Sequence, residues 1–132
     1  MATYEYKPGL GNAASFQVSG KPYVKAAIDA STNPEIQFPS VTSWILVNNA
    51  GAGDCKVGFS ANGVAGSSYI TIPSGSLSPR MDLKVTAVHL GGTATNVEIM
   101  AGLTYITKDQ INNASVSPSG SNWSGSLGAE VG

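Results

Sequence analysis

The chain has a single cysteine, Cys55, and a single histidine, His89. It is therefore poor in the two residue types that form disulfides and zinc sites in small proteins. One thiol cannot close an internal disulfide, and one imidazole cannot build a multi-histidine metal site. Disulfide scaffolds and zinc modules are therefore excluded. We expect no cofactor and no bound metal.

Charge is also scarce. Charged residues make up 11% of the chain, and seven basic against eight acidic residues leave a net charge of −1. No run of like charges is present that would hold a phosphate backbone or an anionic membrane surface. The sequence therefore predicts no nucleic-acid partner and no membrane partner.

Long hydrophobic runs are missing as well. No stretch approaches the roughly 18 apolar residues of a membrane-spanning helix. The first residues, MATYEYKPGLGNAAS, lack the basic region and apolar core of a secretion signal. We expect a soluble protein that is made inside the cell.

The composition of the chain favours strands and turns. Gly, Ser, Thr and Asn together supply more than a third of the 132 residues, while hydrophobic residues supply 42%. That hydrophobic fraction is too high for a disordered chain, and the length suits one domain. We therefore expect a single folded unit rich in β-structure.

Apolar and polar residues alternate in short runs between about residues 23 and 106, which predicts strands. Strands are expected at residues 23–29, 41–47, 55–59, 69–72, 80–90 and 97–105, with weaker ones at 36–38 or 16–18. Two long rows should face one core: Met81, Leu83, Val85 and Ala87, and then Val97, Ile99, Ala101, Leu103 and Tyr105.

Local signals refine this outline. The apolar phase slips after Ala87, which predicts a bulge or bend near Val88. Asn62-Gly63 is typical of a tight turn, and Thr107 is a candidate cap for a single helical turn. No helix of ten residues is expected anywhere.

Strands with one apolar side bury that side by packing two sheets face to face. We therefore predict an all-β fold, a single β-sandwich of jelly-roll type, over residues 21–106. Extended arms are expected on both sides, an N-terminal arm at residues 1–20 and a Ser/Gly-rich C-terminal arm at residues 107–132.

The C-terminal segment has few side chains able to offset the entropy of ordering its backbone, so in isolation we expect it to be disordered. Its spaced apolar residues favour an arm that crosses a partner's surface: Val116, Trp123, Leu127 and Val131. The alternative is that the segment folds back on its own domain.

The N-terminal segment has the same character, with Tyr4 and Tyr6 among small residues as candidate partner contacts. It would then form a second arm. The alternative interpretation is that Phe16 and Val18 belong to an edge strand and that the rest is loop.

Catalytic chemistry finds little support. Ser60, His89 and Asp82 supply the residue types of a hydrolase triad, but no nucleophile-elbow motif places them together. The acidic residues are scattered rather than paired as in glycosidases. Cys55 shares the parity of a buried strand face and is expected to be an inert thiol. We predict that the protein is not an enzyme.

The aromatic residues of the chain leave a sugar-binding role as an alternative. Trp44, Tyr69 and Trp123 are large rings of the kind that stack on sugars. Trp44 lies in a strongly apolar strand, so the alternative is that it packs within the core or at a sheet interface.

Several segments between Val41 and Ile106 carry a resemblance to a known family. They are KVGFSANG at residues 56–63, IPSGSLSPR at residues 72–80 and AGLT at residues 101–104. This half of the chain resembles small jelly-roll virion proteins of tailed bacteriophages and related large DNA viruses, in particular the decoration, or cement, proteins.

The resemblance implies a structural protein on the outer surface of an icosahedral capsid, where it clamps neighbouring capsomers. Its partner would be the major capsid protein, and it would form homo-oligomers, expected as trimers at three-fold positions. Two alternatives remain, another virion component such as a vertex, fibre or minor capsid jelly roll, and a carbohydrate-binding β-sandwich.

Overall fold

The computed structural model describes residues 21–125 and 130–132, which form two antiparallel sheets packed face to face. The predicted all-β sandwich is confirmed. Its strands are β1 (Lys21–Ile28), β2 (Glu35–Gln37), β3 (Thr42–Asn49), β4 (Cys55–Gly58), β5 (Tyr69–Ile72), β6 (Ala87–Gly92) and β7 (Val97–Leu103). A short helix, α1 (Ala61–Ala65), and two 3₁₀ turns, Ala30–Thr32 and Lys108–Gln110, complete the described elements.

The strand order is that of a jelly roll. The first sheet runs β1-β7-β3, and the second sheet runs β2-β6-β4-β5. The segment before β6 adds bridges from Met81 to Ile45 and from Leu77 to Asn48, so it forms an irregular fourth strand beside β3. The sheets are then β1-β7-β3-(77–81) and β2-β6-β4-β5, four strands each, as in a jelly roll.

The core lies between the two sheets. Most of the second predicted row is confirmed, because Val97, Ile99, Ala101 and Leu103 are all buried. Tyr105 was wrongly placed in this row. It follows the end of β7 and is 76% exposed, so strand alternation no longer decides where its ring points.

The first predicted row faces the core but does not form one strand. Val85 and Ala87 are buried, while Met81 and Leu83 are half-buried against the same core. The carbonyl of Val85 accepts from the amide of Thr42 in the first sheet, whereas Ala87 pairs with Gln37 in the second. The phase slip expected near Val88 therefore marks a crossing between sheets rather than a bulge within a strand.

The predicted tight turn at Asn62-Gly63 is wrong, since both residues lie in α1. Ser60 caps this helix by accepting a hydrogen bond from the amide of Gly63 at 2.8 Å. Glycine is required at this position by packing, because a Cβ there would collide with the carbonyl of Val131. The glycine of the Asn62-Gly63 pair therefore reflects the close approach of the Val131 backbone, not a turn.

Strand β1 shows why sequence parity can mislead. The register shifts between Lys25 and Ile28, and Ala27 adopts a left-handed φ of 56°. Val24 and Ile28 share a parity in the sequence, yet Val24 is 63% exposed and Ile28 is buried. The irregularity turns the chain so that its apolar side changes face along the strand.

The weaker expectations have mixed outcomes. The strand expected at 36–38 is present as β2, and a 3₁₀ turn follows Thr107. Thr107 occupies the capping position but makes no side-chain capping bond. The alternative strand at residues 16–18 lies outside the described residues.

The C-terminal segment folds back on the sandwich instead of extending away from it. Ile106 and Ile111 form a small buried cluster with Val41, and Trp123 packs against both this cluster and the main core. The interpretation of residues 107–125 and 130–132 as an extended arm is therefore wrong. Hydrogen bonds also hold the segment, among them those of the buried Asn122 to Thr86, Phe59 and Ala87.

Candidate interaction surfaces

The outer side of the first sheet carries an apolar row across three strands. Met100 pairs with Val24 on one side and with Leu46 on the other. Val24 is 63% exposed and Met100 is 43% exposed, while Leu46 is half-buried. Because Ile99 and Ala101 point into the core, strand alternation holds Met100 outward. We name this surface the apolar face; its members are Val24, Trp44, Leu46, Leu77 and Met100.

Trp44 extends the apolar face toward one end of the sheet. It pairs with Gly102, where a Cβ would collide with the indole, so the glycine lets the ring lie against the sheet. The Arg80 guanidinium lies 5.7 Å from the centre of the Trp44 ring and pairs with Asp82 at 2.9 Å. Trp44 thus provides a flat, half-buried aromatic surface bordered by one ion pair.

At the other end of the apolar face, a polar pair borders the exposed apolar side chain of Leu77. Asn48 donates to Glu98 at 2.8 Å, and Leu77, bridged to Asn48, is 60% exposed. The charged groups therefore stand at the margins, while the centre of the face is uncharged. Contiguous exposed apolar surface with a polar margin is typical of a protein–protein contact.

A second feature is an apolar cavity where the two sheets open between β5 and the 81–85 segment. It measures about 680 Å³ and is lined by Phe59, Leu83, Val85, Val116, Trp123 and Val131, with charged groups at its mouth. The cavity continues past Leu83 toward Tyr69, Ile70 and Met81. We name this continuous space the side cleft.

The C-terminal residues predicted to bind a partner gather at the side cleft of their own domain. The Trp123 indole donates to the carbonyl of Lys84, and Val116 lines the same cavity. The Val131 carbonyl accepts from the Ser60 hydroxyl. These contacts make Trp123 an internal anchor of the C-terminal segment, while its role as a partner contact stays a prediction. Leu127, Tyr4 and Tyr6 lie outside the described residues.

The three residues considered for a hydrolase triad serve separate structural roles. Ser60 caps α1, and Asp82 pairs with Arg80. His89 lies in β6, where its Nε2 is 3.5 Å from an oxygen of Glu35. Burial lowers the pKa of His89 from its usual 6.5, and the nearby Glu35 carboxylate opposes that effect.

The three aromatic residues considered for sugar stacking do not all lie on one surface. Trp44 lies on the apolar face, and Trp123 belongs to the C-terminal segment. Tyr69 lies in β5, with the Lys56 ammonium 4.7 Å from its ring centre. Tyr69 and Trp123 both line the side cleft, but Trp44 does not, so the three rings form no common platform.

Cys55 is fully buried, and burial raises the pKa of its thiol to about 11. Within residues 21–125 and 130–132, no three His, Cys, Asp or Glu side chains are grouped to hold a metal ion. None of the helices in the described part of the chain is long and apolar enough to span a membrane.

Sequence reasoning missed Asn122, which is 2% exposed. Its side-chain amide donates to the carbonyls of Phe59 at 2.7 Å and Ala87 at 2.9 Å, and its Oδ1 accepts from the amide of Thr86 at 2.8 Å. These partners are 35 to 63 positions away along the chain. A local sequence pattern cannot predict hydrogen bonds between residues that are so far apart along the chain.

Comparison of the chain with known protein families, with curated proteins and with solved structures finds no match.

Proposed function

We propose that this chain is a structural virion protein that decorates an icosahedral capsid and stabilises it by clamping neighbouring capsomers. The docking surface is the apolar face, and the partner is the major capsid protein. The observation that carries the proposal is the outward-facing row of Val24, Met100 and Leu46 across the first sheet of a jelly roll, in which Val24 and Met100 are exposed.

The composition of the apolar face supports a protein partner. Burial of apolar surface is favourable by about 25 cal/mol per Å², so half-exposed Met100 and Val24 gain from being covered. The charged side chains nearby, Arg80 and Glu98, already have partners within the chain. Docking therefore removes little unpaired charge from water, and this favours a contact with another protein of low charge.

The rigidity of the sandwich supports a clamping role. Docking costs free energy wherever it freezes loose chain. The apolar face lies on strands held in ladders on both sides of β7, so its backbone is ordered before any partner arrives. The segment after the last strand is tied to the sandwich through Asn122. A preordered surface of this kind transmits force between two capsomers without first having to fold.

The experiment uses empty shells assembled from the major capsid protein encoded by the same genome. The wild-type chain, Met100→Glu and Tyr105→Glu are each co-sedimented with these shells. Both positions are exposed, but Tyr105 lies outside the apolar face. We expect Met100→Glu to weaken binding at least tenfold and Tyr105→Glu to bind as wild type. The proposal fails if the wild-type chain stays in the supernatant or if Met100→Glu binds unchanged.

A further inference from the structure

A third cavity lies on the outer side of the second sheet, and among the described residues it shares none with the apolar face or the side cleft. One wall is α1, which packs on the sheet through Val64. An added Cβ would lie 2.7 Å from a Val64 methyl at Gly58 and 2.6 Å from one at Gly91. Beside this contact the helix leaves a space of about 340 Å³, a size that suits a small ligand.

Three polar side chains line the cavity from different elements. Lys56 lies on β4, His89 lies on β6, and Asn33 follows the 3₁₀ turn at Ala30–Thr32. An added Cβ at Gly91 would lie 3.4 Å from the Oδ1 of Asn33 and 3.7 Å from the Cβ of Lys56. The glycine therefore keeps the space between these two side chains open for a ligand.

The charge of the cavity selects the kind of ligand. Of the described residues that line it, Lys56 is the only one charged at neutral pH. Burial lowers the pKa of His89 from its usual 6.5, and the Glu35 carboxylate, 3.5 Å from its Nε2, only opposes that effect, so the imidazole is neutral at pH 7. One positive charge matches one carboxylate, whereas a phosphate group carries about 1.5 to 2 negative charges at that pH.

We propose that this cavity binds a small monocarboxylate with a compact apolar body. The carboxylate pairs with the Lys56 ammonium, and the side-chain amide of Asn33 donates a second hydrogen bond. The body of the ligand packs against the apolar wall that α1 supplies with Ala61, Val64 and Ala65.

Lys56 reaches the carboxylate by rotation of its side chain. Its ammonium lies 4.7 Å from the ring centre of Tyr69 on β5. A cation–π contact at a partly exposed site is weaker than a charge-assisted hydrogen bond to a carboxylate. Because the lysine stem is flexible, a bound carboxylate draws the ammonium from the ring into the cavity.

The site is independent of the proposed capsid contact. The cavity lies on the outer side of the second sheet, whereas the apolar face lies on the outer side of the first sheet. A small ligand and a docked shell therefore occupy opposite sides of the sandwich. The inference stands whether or not the chain binds capsid shells.

Nuclear magnetic resonance of the isotopically labelled full-length chain tests the site. His89 is the only histidine, so its imidazole signals are assigned without ambiguity. Sodium butyrate is the probe, and butyramide, which has nearly the same shape without the charge, is its control at constant pH and ionic strength. We expect butyrate to shift the His89 signals saturably, with a dissociation constant in the millimolar range, and butyramide to leave them unchanged. No shift, a shift that does not saturate, or equal shifts with both compounds would overturn the proposal.

Two matched pairs of variants locate the binding. Lys56→Gln should weaken butyrate binding about tenfold or more, while Lys25→Gln, at an exposed position of β1, should bind as wild type. Ala65→Leu fills the cavity from an exposed position of α1 and should block binding, whereas Asn62→Leu, exposed on the same helix but outside the cavity lining, should not. Wild-type affinity in Lys56→Gln or in Ala65→Leu would contradict the proposed site.

Discussion

The Oδ1 of Asn122 accepts a hydrogen bond from the backbone amide of Thr86 at 2.8 Å, and the Thr86 hydroxyl donates to the Oδ1 of Asn112 at 2.9 Å. Thr86 lies where the chain leaves the first sheet and enters the second. The amide group of Asn122 bonds on to Ala87, the first residue of β6, and to Phe59 beyond β4. One buried side chain therefore joins the C-terminal segment to the crossing point of the sandwich.

Asn122→Ala should destabilise the domain strongly. The change leaves the Thr86 amide and the Phe59 and Ala87 carbonyls without their partner in a buried site, and each unsatisfied group costs about 1–3 kcal/mol. We expect a loss of about 3 kcal/mol or more in the free energy of unfolding, measured by urea titration. Asn62→Ala, at an exposed position in α1, is the control and should stay within about 0.5 kcal/mol of wild type. A similar small effect at Asn122 would refute its role as an anchor.

Core truncations should differ according to burial. Ile99 is 1% exposed, so Ile99→Ala should cost about 2–5 kcal/mol, as expected for a fully buried side chain. Leu83 is half-buried at the side cleft, and the space beside it is already open. We expect Leu83→Ala to cost about 1–2 kcal/mol, since less transfer energy is lost and little new cavity is made. Equal losses for the two variants, measured by the same titration, would contradict this placement of the core.

Acid should weaken the fold through His89. Burial lowers the pKa of His89 in the folded chain below its usual 6.5, so the unfolded chain binds more protons near that pH. The stability due to the neutral imidazole is present above pH 6.5 and is lost as the pH falls from 6.5 through the lowered pKa of the folded state. His89→Gln should therefore show a smaller fall in unfolding free energy between pH 7.5 and pH 5 than wild type. Parallel curves for the two proteins would show that His89 does not contribute.

The sequence was sufficient for the fold class because it carries strong alternation in the strands that are buried on one side. The spacing alone was enough to place one row in the core: Val97, Ile99, Ala101 and Leu103. Alternation gave the wrong face for Val24, because the register shift in β1 between Lys25 and Ile28 moves the apolar side chains to the other face of the strand. No glycine or proline at the shift marks it in the sequence. Alternation also assigned residues 80–90 to one strand, whereas the chain changes sheets between Val85 and Ala87.

The interaction surfaces were harder to predict than the core. A row such as Val24, Met100 and Leu46 exists only once the pairing of three strands is known, and strand pairing depends on contacts far apart in the sequence. Trp123 looked like a free anchor because its neighbours are small and polar. Its indole is in fact held by the carbonyl of Lys84, a bond that no local pattern encodes.

The central claim is that the apolar face contacts the capsid shell, and a cryo-EM reconstruction of shells incubated with the full-length chain tests it most directly. We predict density for the sandwich on the outer surface of the shell, with Met100, Leu46 and Val24 turned toward the major capsid protein and the second sheet turned away. Shells without added density, or a bound sandwich whose first sheet faces solvent, would contradict it.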